Sequence, residues 1–250
     1  MAVPSRIGGT MLDTIILVTG PTEQPVLAAR LRDCNGRIEV LRIDGPEDLM
    51  ALDDAVLRRS RLIAFATGTI VPAAILDGLG YGAYNFHPGP PEFPGLSPSQ
   101  LAVYRGVRHF GVTVHHMAEK VDAGPIVDVS RFDVPPCASV AALELRSYQE
   151  LAFRFWQLSP VLANREDPLP ALPVSWSSEK SSRRSYAALC AIPPDISAAE
   201  LDRRIGAFGE GYFGLTPTVT LHGHRFQYVP ERPVPLAETS TPRMVTRETG

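Results

Sequence analysis

Cysteine is scarce in this chain: Cys34, Cys137 and Cys190 stand far apart, and no CxxC spacing brings two together. A disulfide framework and a zinc-ribbon site therefore have no support in the sequence. Long apolar runs are missing too. The first, "TIILV" at 14–18, follows Asp13 directly and is too short for a membrane span or a signal-peptide core. These absences lead us to expect a cytoplasmic protein with no membrane partner. Neither sign of charge dominates, since 24 Lys and Arg against 27 Asp and Glu leave a formal charge of −3. That balance offers no broad attraction to nucleic acid or anionic lipid. No Gly-x-Ser-x-Gly elbow occurs, and no Ser or Cys stands in another activated-nucleophile setting.

What the chain has instead is proline, 24 of 250 residues, about twice the usual share of roughly 5%. Much of it gathers at 88–94, 159–173 and 230–242. Ahead of the first of these stretches, short β-branched runs alternate with amphipathic ones. "TIILVTG", "GRIEVLRID", "RLIAFATG" and "GAYNF" read as strands. "EQPVLAARLRD", "PEDLMALDDAVLRRS" and "VPAAILDGL" read as helices between them. The alternation predicts an α/β fold, a Rossmann-like mostly parallel sheet with helices on both faces. "SPSQLAVYRG" reads as a further helix with Ser97 as its N-cap. "FGVTVHHM" and "PIVDVSRFDV" read as strands, and the 139–163 stretch as a long amphipathic helix. After a proline-rich linker, "ISAAELDRRIGAF" predicts a helix and "PTVTLHGHRFQYV" a hairpin turning at His222-Gly223-His224. We expect a catalytic domain over 13–165, a small C-terminal helix-hairpin subdomain over 180–230, and a disordered tail over 231–250.

The chemical question sits in "YNFHPGPPEFPG" at 84–95. Asn85 and His87 are two apart on a strand, so their side chains share a face. Pro88, Pro90, Pro91 and Pro94 cannot continue the ladder, so the pair stands at the strand's end. Ligands of such sheets bind beyond the carboxyl ends of the strands, where Thr67-Gly68 also falls. Asp122 joins the pair only if "FGVTVHHM" lies beside "GAYNF". An amide, an imidazole and a carboxylate would then meet, suited to steadying an oxyanion and moving a proton. Such a carboxylate would raise the pKa of His87. Ordinary readings stand beside this one: Asn85 as a turn former, His87 as a satisfied core histidine, Asp122 as a turn residue. His115 and His116, being adjacent, point to opposite faces and cannot share a metal, so no metal is expected.

"NFHPGPPEFPG" followed by "FGVTVHHMAEKVDAGPIV" resembles the signature of the folate-dependent formyltransferases: Asn-x-His-Pro, a proline-bearing loop, Thr-x-His, then Asp-x-Gly. The resemblance covers roughly 14–135. It implies an enzyme in which Asn85 and His87 polarise the formyl carbonyl of 10-formyltetrahydrofolate while Asp122 holds His87 and handles the amine proton. His115 would stand behind them. The pterin would be gripped by backbone of Thr67, Gly68, Thr69, Ile70 and Val71 and of Ala118, Glu119, Lys120, Val121 and Asp122.

The amine acceptor is less well marked. "VTGPTEQPV" lacks the Gly-Ser-Asn phosphate loop of the glycinamide ribonucleotide enzymes. The segment after 190 has room for a helix and hairpin rather than the β-barrel of methionyl-tRNA formyltransferases, and nothing before Thr14 matches the regulatory domain of the hydrolase. The form of the proline loop is most similar to sugar-nucleotide N-formyltransferases, which implies a nucleotide-linked amino sugar as acceptor and no nucleic acid. Another small amine, an amino acid or water are the alternatives, with a non-catalytic folate-binding protein as an alternative of another class. A homodimer is compatible with the chain.

Overall fold

The computed structural model describes residues 11–230; the expected tail at 231–250 lies outside them. The chain opens with β1 (Thr14–Val18), α1 (Gln24–Cys34) and β2 (Glu39–Ile43). The expected helix over 46–60 is two, α2 (Pro46–Met50) and α3 (Asp54–Arg58). Asp53 causes the break: its carboxylate accepts from the Val56 N–H at 2.8 Å and caps a new helix, the local bond that Asp favours over continuing an old one. Then follow β3 (Ser60–Phe65), α4 (Ala73–Gly78), β4 (Ala83–His87), α5 (Pro98–Arg105), β5 (His109–His116), β6 (Ile126–Asp133) and α6 (Val140–Asn164). Ser97 precedes α5 but does not cap it. Its backbone is left-handed (φ 54°, ψ 49°), and its buried hydroxyl meets no partner among the described residues.

Six strands form one sheet in the order β2-β1-β3-β4-β5-β6, parallel as far as β4 and antiparallel beyond. Alternation along the strands sorts side chains to two faces. Ile15, Leu17, Ile63, Phe65, Tyr84 and Phe86 pack against α1 and α6. Ile16, Val18, Leu62, Ala64 and Ala83 pack against α2, α3 and α4. Phe65, Phe86 and Phe155 fill the first face with ring centroids 5.3–5.9 Å apart. Arg61 is buried, and it donates to the carbonyls of Tyr81, Leu162 and Glu166. Its guanidinium thereby ties the end of α6 to β3.

Residues 165–182 leave α6 and cross back over the sheet's far end. They lead into α7 (Arg183–Cys190), β7 (Ala191–Ile192), α8 (Ala198–Phe208), β8 (Thr218–Leu221) and β9 (His224–Gln227). The helix and hairpin read from the sequence are α8 and β8–β9, whose turn has His222 and Gly223 at φ 50° and 83°. α7 and the short β7 go beyond that reading; β7 makes a second, three-stranded sheet. Tyr186, Cys190, Ala207 and Phe208 form a small core that packs on α5.

Candidate active site

Strand register explains the site. Antiparallel pairing sets Asn85 opposite His115 and His87 opposite Thr113, and directly opposed residues share a face. Asn85 and His87 therefore lie on the Ala83 side of β4, while Tyr84 and Phe86 enter the aromatic core on the other. Over β4 and β5 that side is roofed by loops rather than helix. One is the turn at 117–125, which carries Asp122; the other is the 165–182 strap, which packs on the aromatic face at Leu169 and reaches this side at Trp176.

Asp122 meets the strand pair as the sequence required. Its Oδ2 lies 3.5 Å from His87 Nδ1, and its Oδ1 lies 3.3 Å from His115 Nε2 and 3.5 Å from Asn85 Nδ2. Asn85 Nδ2 is 3.1 Å from His115 Nε2. Asp122, His87 and His115 are buried, and Asn85 is half-buried, the one member open to solvent. The turn needs unusual backbone: Asp122 has φ 45°, a region Asp and Asn tolerate best. Gly124 follows because a Cβ there would fall 1.9 Å from the His116 carbonyl oxygen. His116 faces away, its Nε2 3.0 Å from the Leu169 carbonyl.

The protonation states follow from partners. His87 Nε2 stands 3.0 Å from the Phe93 carbonyl, which only accepts, so Nε2 carries hydrogen. His115 Nδ1 stands 2.8 Å from the His116 carbonyl, so there Nδ1 carries it and Nε2 accepts from Asn85. Burial pushes His87 below its ordinary 6.5, overriding the attraction of Asp122 and the bond to Phe93; His115 and Lys180 add to the fall. The expected rise is thus corrected: desolvation of a fully enclosed imidazole outweighs one carboxylate. Burial would raise Asp122, but the His87 and His115 imidazoles, in so far as they carry charge in acid, and the Gly95 N–H, which donates to Oδ2 at 2.7 Å, hold it well below the usual carboxylate range. The Gly95 bond persists whether or not His87 is charged. At neutral pH, a bare Nδ1 therefore faces an ionised carboxylate. Their 3.5 Å separation exceeds a charge-assisted bond of about 2.8 Å.

The 66–72 loop follows β3 beside the end of β4, where the Ala66 N–H reaches the Phe86 carbonyl at 3.1 Å. Thr67 Oγ1 accepts from the Thr69 N–H at 3.1 Å and closes the loop on itself. Gly68 has open space around it, Ile70 is exposed, and Val71 is buried in the cluster that Met117 packs against. Ala118 is half-buried, and Glu119, Lys120 and Val121 are exposed ahead of Asp122.

Sequence reasoning missed Gly95, the Phe93 carbonyl, Trp176 and Lys180. Trp176 is one of two tryptophans in the chain; an aromatic inside a proline-rich polar linker was the available signal.

The family model for formyl transferase matches residues 56–151, from α3 into α6. Residues 56–151 belong to the formyl transferase family. The formyl transferase segment thus contains Asn85, His87, His115 and Asp122 and ends before the strap. The methionyl-tRNA formyltransferase of Dechloromonas aromatica is 32% identical over 148 residues, 59% of this chain and 47% of that protein. Curated relatives of this kind are matched over only 23–50% of their own length. A sugar N-formyltransferase from a Shewanella species superposes with TM-score 0.67 at 16% identity, covering 87% of this chain and 96% of that one. The N-formyltransferase of Helicobacter canadensis, solved with folinic acid and dTDP-3-aminofucose, gives 0.59 at 14% identity over 85% of each chain. The structural likenesses establish the fold.

Proposed function

We propose that this protein transfers a formyl group from 10-formyltetrahydrofolate to a primary amine on a nucleotide-linked amino sugar. The observation that carries the reading is the meeting of Asn85, His87 and Asp122 at one half-open strand end. Folate as co-substrate supplies an activated formyl group. The donor set fits it: an amide to hold the carbonyl oxygen, and a base pair beside it to take a proton. Asn85 has one amide hydrogen on His115 and a second making only a 3.5 Å contact to Asp122; the second is the one free to turn to an incoming oxygen. As the amine nitrogen bonds to the formyl carbon, it must shed a proton. His87 Nδ1 takes it, Asp122 stabilises the resulting imidazolium, and Asn85 holds the negative oxygen. The proton then passes to folate N10 as the N10–carbon bond breaks. Backbone of Thr67, Gly68, Thr69, Ile70 and Val71 and of Ala118, Glu119, Lys120 and Val121 would hold the pterin, and no step calls for a metal.

The choice of acceptor is supported by the higher TM-score of the Shewanella sugar N-formyltransferase, 0.67 against 0.59 for a methionyl-tRNA formyltransferase that covers nearly as much of this chain, and by a net charge of −3, ill suited to tRNA. Incubation with 10-formyltetrahydrofolate and panels of dTDP-, UDP- and GDP-amino sugars, with methionyl-tRNA and amine-free arms, tests it. Formylated sugar nucleotide is the expected product. Formylation of methionyl-tRNA alone would replace the acceptor, and release of tetrahydrofolate without any amine would mark a hydrolase.

A further inference from the structure

The strap is more than a linker. Ser177 N–H donates to the Pro91 carbonyl at 2.9 Å, Ser181 N–H to Pro94 at 3.0 Å, and Leu172 N–H to Ile126 at 2.7 Å. These bonds seat Trp176 above the imidazoles. Its ring stands edge-on to His115 at 5.0 Å and to His87 at 5.7 Å between centroids. Its Nε1–H donates to the Gly124 carbonyl at 2.9 Å, two residues past Asp122. Lys180 Nζ donates to the Val121 carbonyl, so the strap grips the Asp122 turn on both sides.

We propose that Trp176 is a positioning residue of this site: it pins the Asp122 turn through Gly124 and keeps water off the His87–Asp122–His115 cluster. The proposal rests on the formyl-transfer reading only for its kinetic consequence. An indole over this cluster does two things at once. It keeps the surroundings apolar, so that an unprotonated His87 persists beside a carboxylate. It also denies water the place from which it could compete with the amine for the formyl carbon.

The test uses the full chain carrying Trp176→Ala, Trp176→Val or Trp176→Phe. Ring titration of His87 by NMR needs no substrate. Asp122, His115 and Lys180, the charged and titratable groups acting on His87, are unchanged in every variant. Trp176→Ala is expected to raise the His87 pKa towards 6.5, and Trp176→Val to raise it less; Trp176→Phe, which keeps a ring, should leave it low. In turnover, Trp176→Ala should cut amine formylation about tenfold or more, on the scale of a displaced catalytic group, while tetrahydrofolate released without formylated amine rises as a share. Unchanged His87 titration in Trp176→Ala, or in Trp176→Val should the alanine variant not fold, would overturn the proposal, as would an unchanged ratio of transfer to hydrolysis. If the wild type formylates no amine, the functional reading fails and the titration still decides the role of Trp176.

Discussion

His87 is neutral at pH 7 because it is dry, and Asp122 lies 3.5 Å from its Nδ1. Burial lowers the folded pKa of His87 below the unfolded 6.5, so below pH 6.5 the unfolded chain binds this proton more readily. Stability is then whole above pH 6.5 and declines as pH falls from there towards the folded value. Asp122, also depressed, adds stability above about pH 4 that is lost in stronger acid. Melting curves between pH 7 and 5 should therefore slope less in His87→Gln than in wild type, and equal slopes would contradict a depressed pKa. In kinetics, the acid limb of kcat/KM should lie below pH 6.5, where the bare Nδ1 is lost. Asn85→Ala and His87→Ala should each lower turnover about a hundredfold or more while calorimetric folate binding stays close to wild type. Near-normal turnover in either variant would remove that residue from the chemistry.

The elements show how such side chains are held. Gly95 stands at φ +94°, gives its N–H to Asp122, and leaves no room for a Cβ, which would fall 2.2 Å from the Ser181 carbonyl oxygen. Gly95→Ala must therefore lift the strap or break the Asp122 bond. We expect turnover to fall at least tenfold, with Trp176 fluorescence shifted by greater exposure to water; an unshifted spectrum with full activity would show the loop absorbs the methyl. On the opposite face, Arg61 satisfies three carbonyls, two of them buried. Arg61→Met fills much of the volume but strands those acceptors, at a cost on the order of 3 kcal/mol. Denaturant unfolding measures it, and a loss under about 1 kcal/mol would mean the carbonyls find other donors.

At the scale of the molecule, the strap is fastened at one end by α6 and at the other by α7 and α8, whose small core of Tyr186, Cys190, Ala207 and Phe208 leans on α5. Tyr104 on α5 reaches Glu200 on α8 at 2.7 Å. A remote change should therefore be felt at the site. Phe208→Ala, which empties a fully buried position, is expected to cost about 3–5 kcal/mol. It should expose the strap to limited proteolysis and lower turnover although Phe208 lies outside the site. Protease resistance and activity equal to wild type would show that the strap needs no second anchor.

Local pattern was enough to read most of the elements and the Asn85–His87 pair, because period-two alternation and proline act over a few neighbouring residues. It was enough, with the Asp-x-Gly turn, to single out Asp122. It misjudged two helix starts, where Asp53 caps a second helix and Ser97 fails to cap its own, since capping depends on the backbone angle at which the chain arrives. Only the folded chain decided that His115 lies opposite Asn85, that Phe93 fixes the tautomer of His87, and that Trp176 roofs both imidazoles. These depend on strand register and on a strap returning across almost ninety residues from His87 to Trp176. The same distance explains the reversed pKa. Sequence supplied the carboxylate beside His87, a short-range attraction, whereas burial is the sum of everything packed around the ring, and that sum exists only in the tertiary structure.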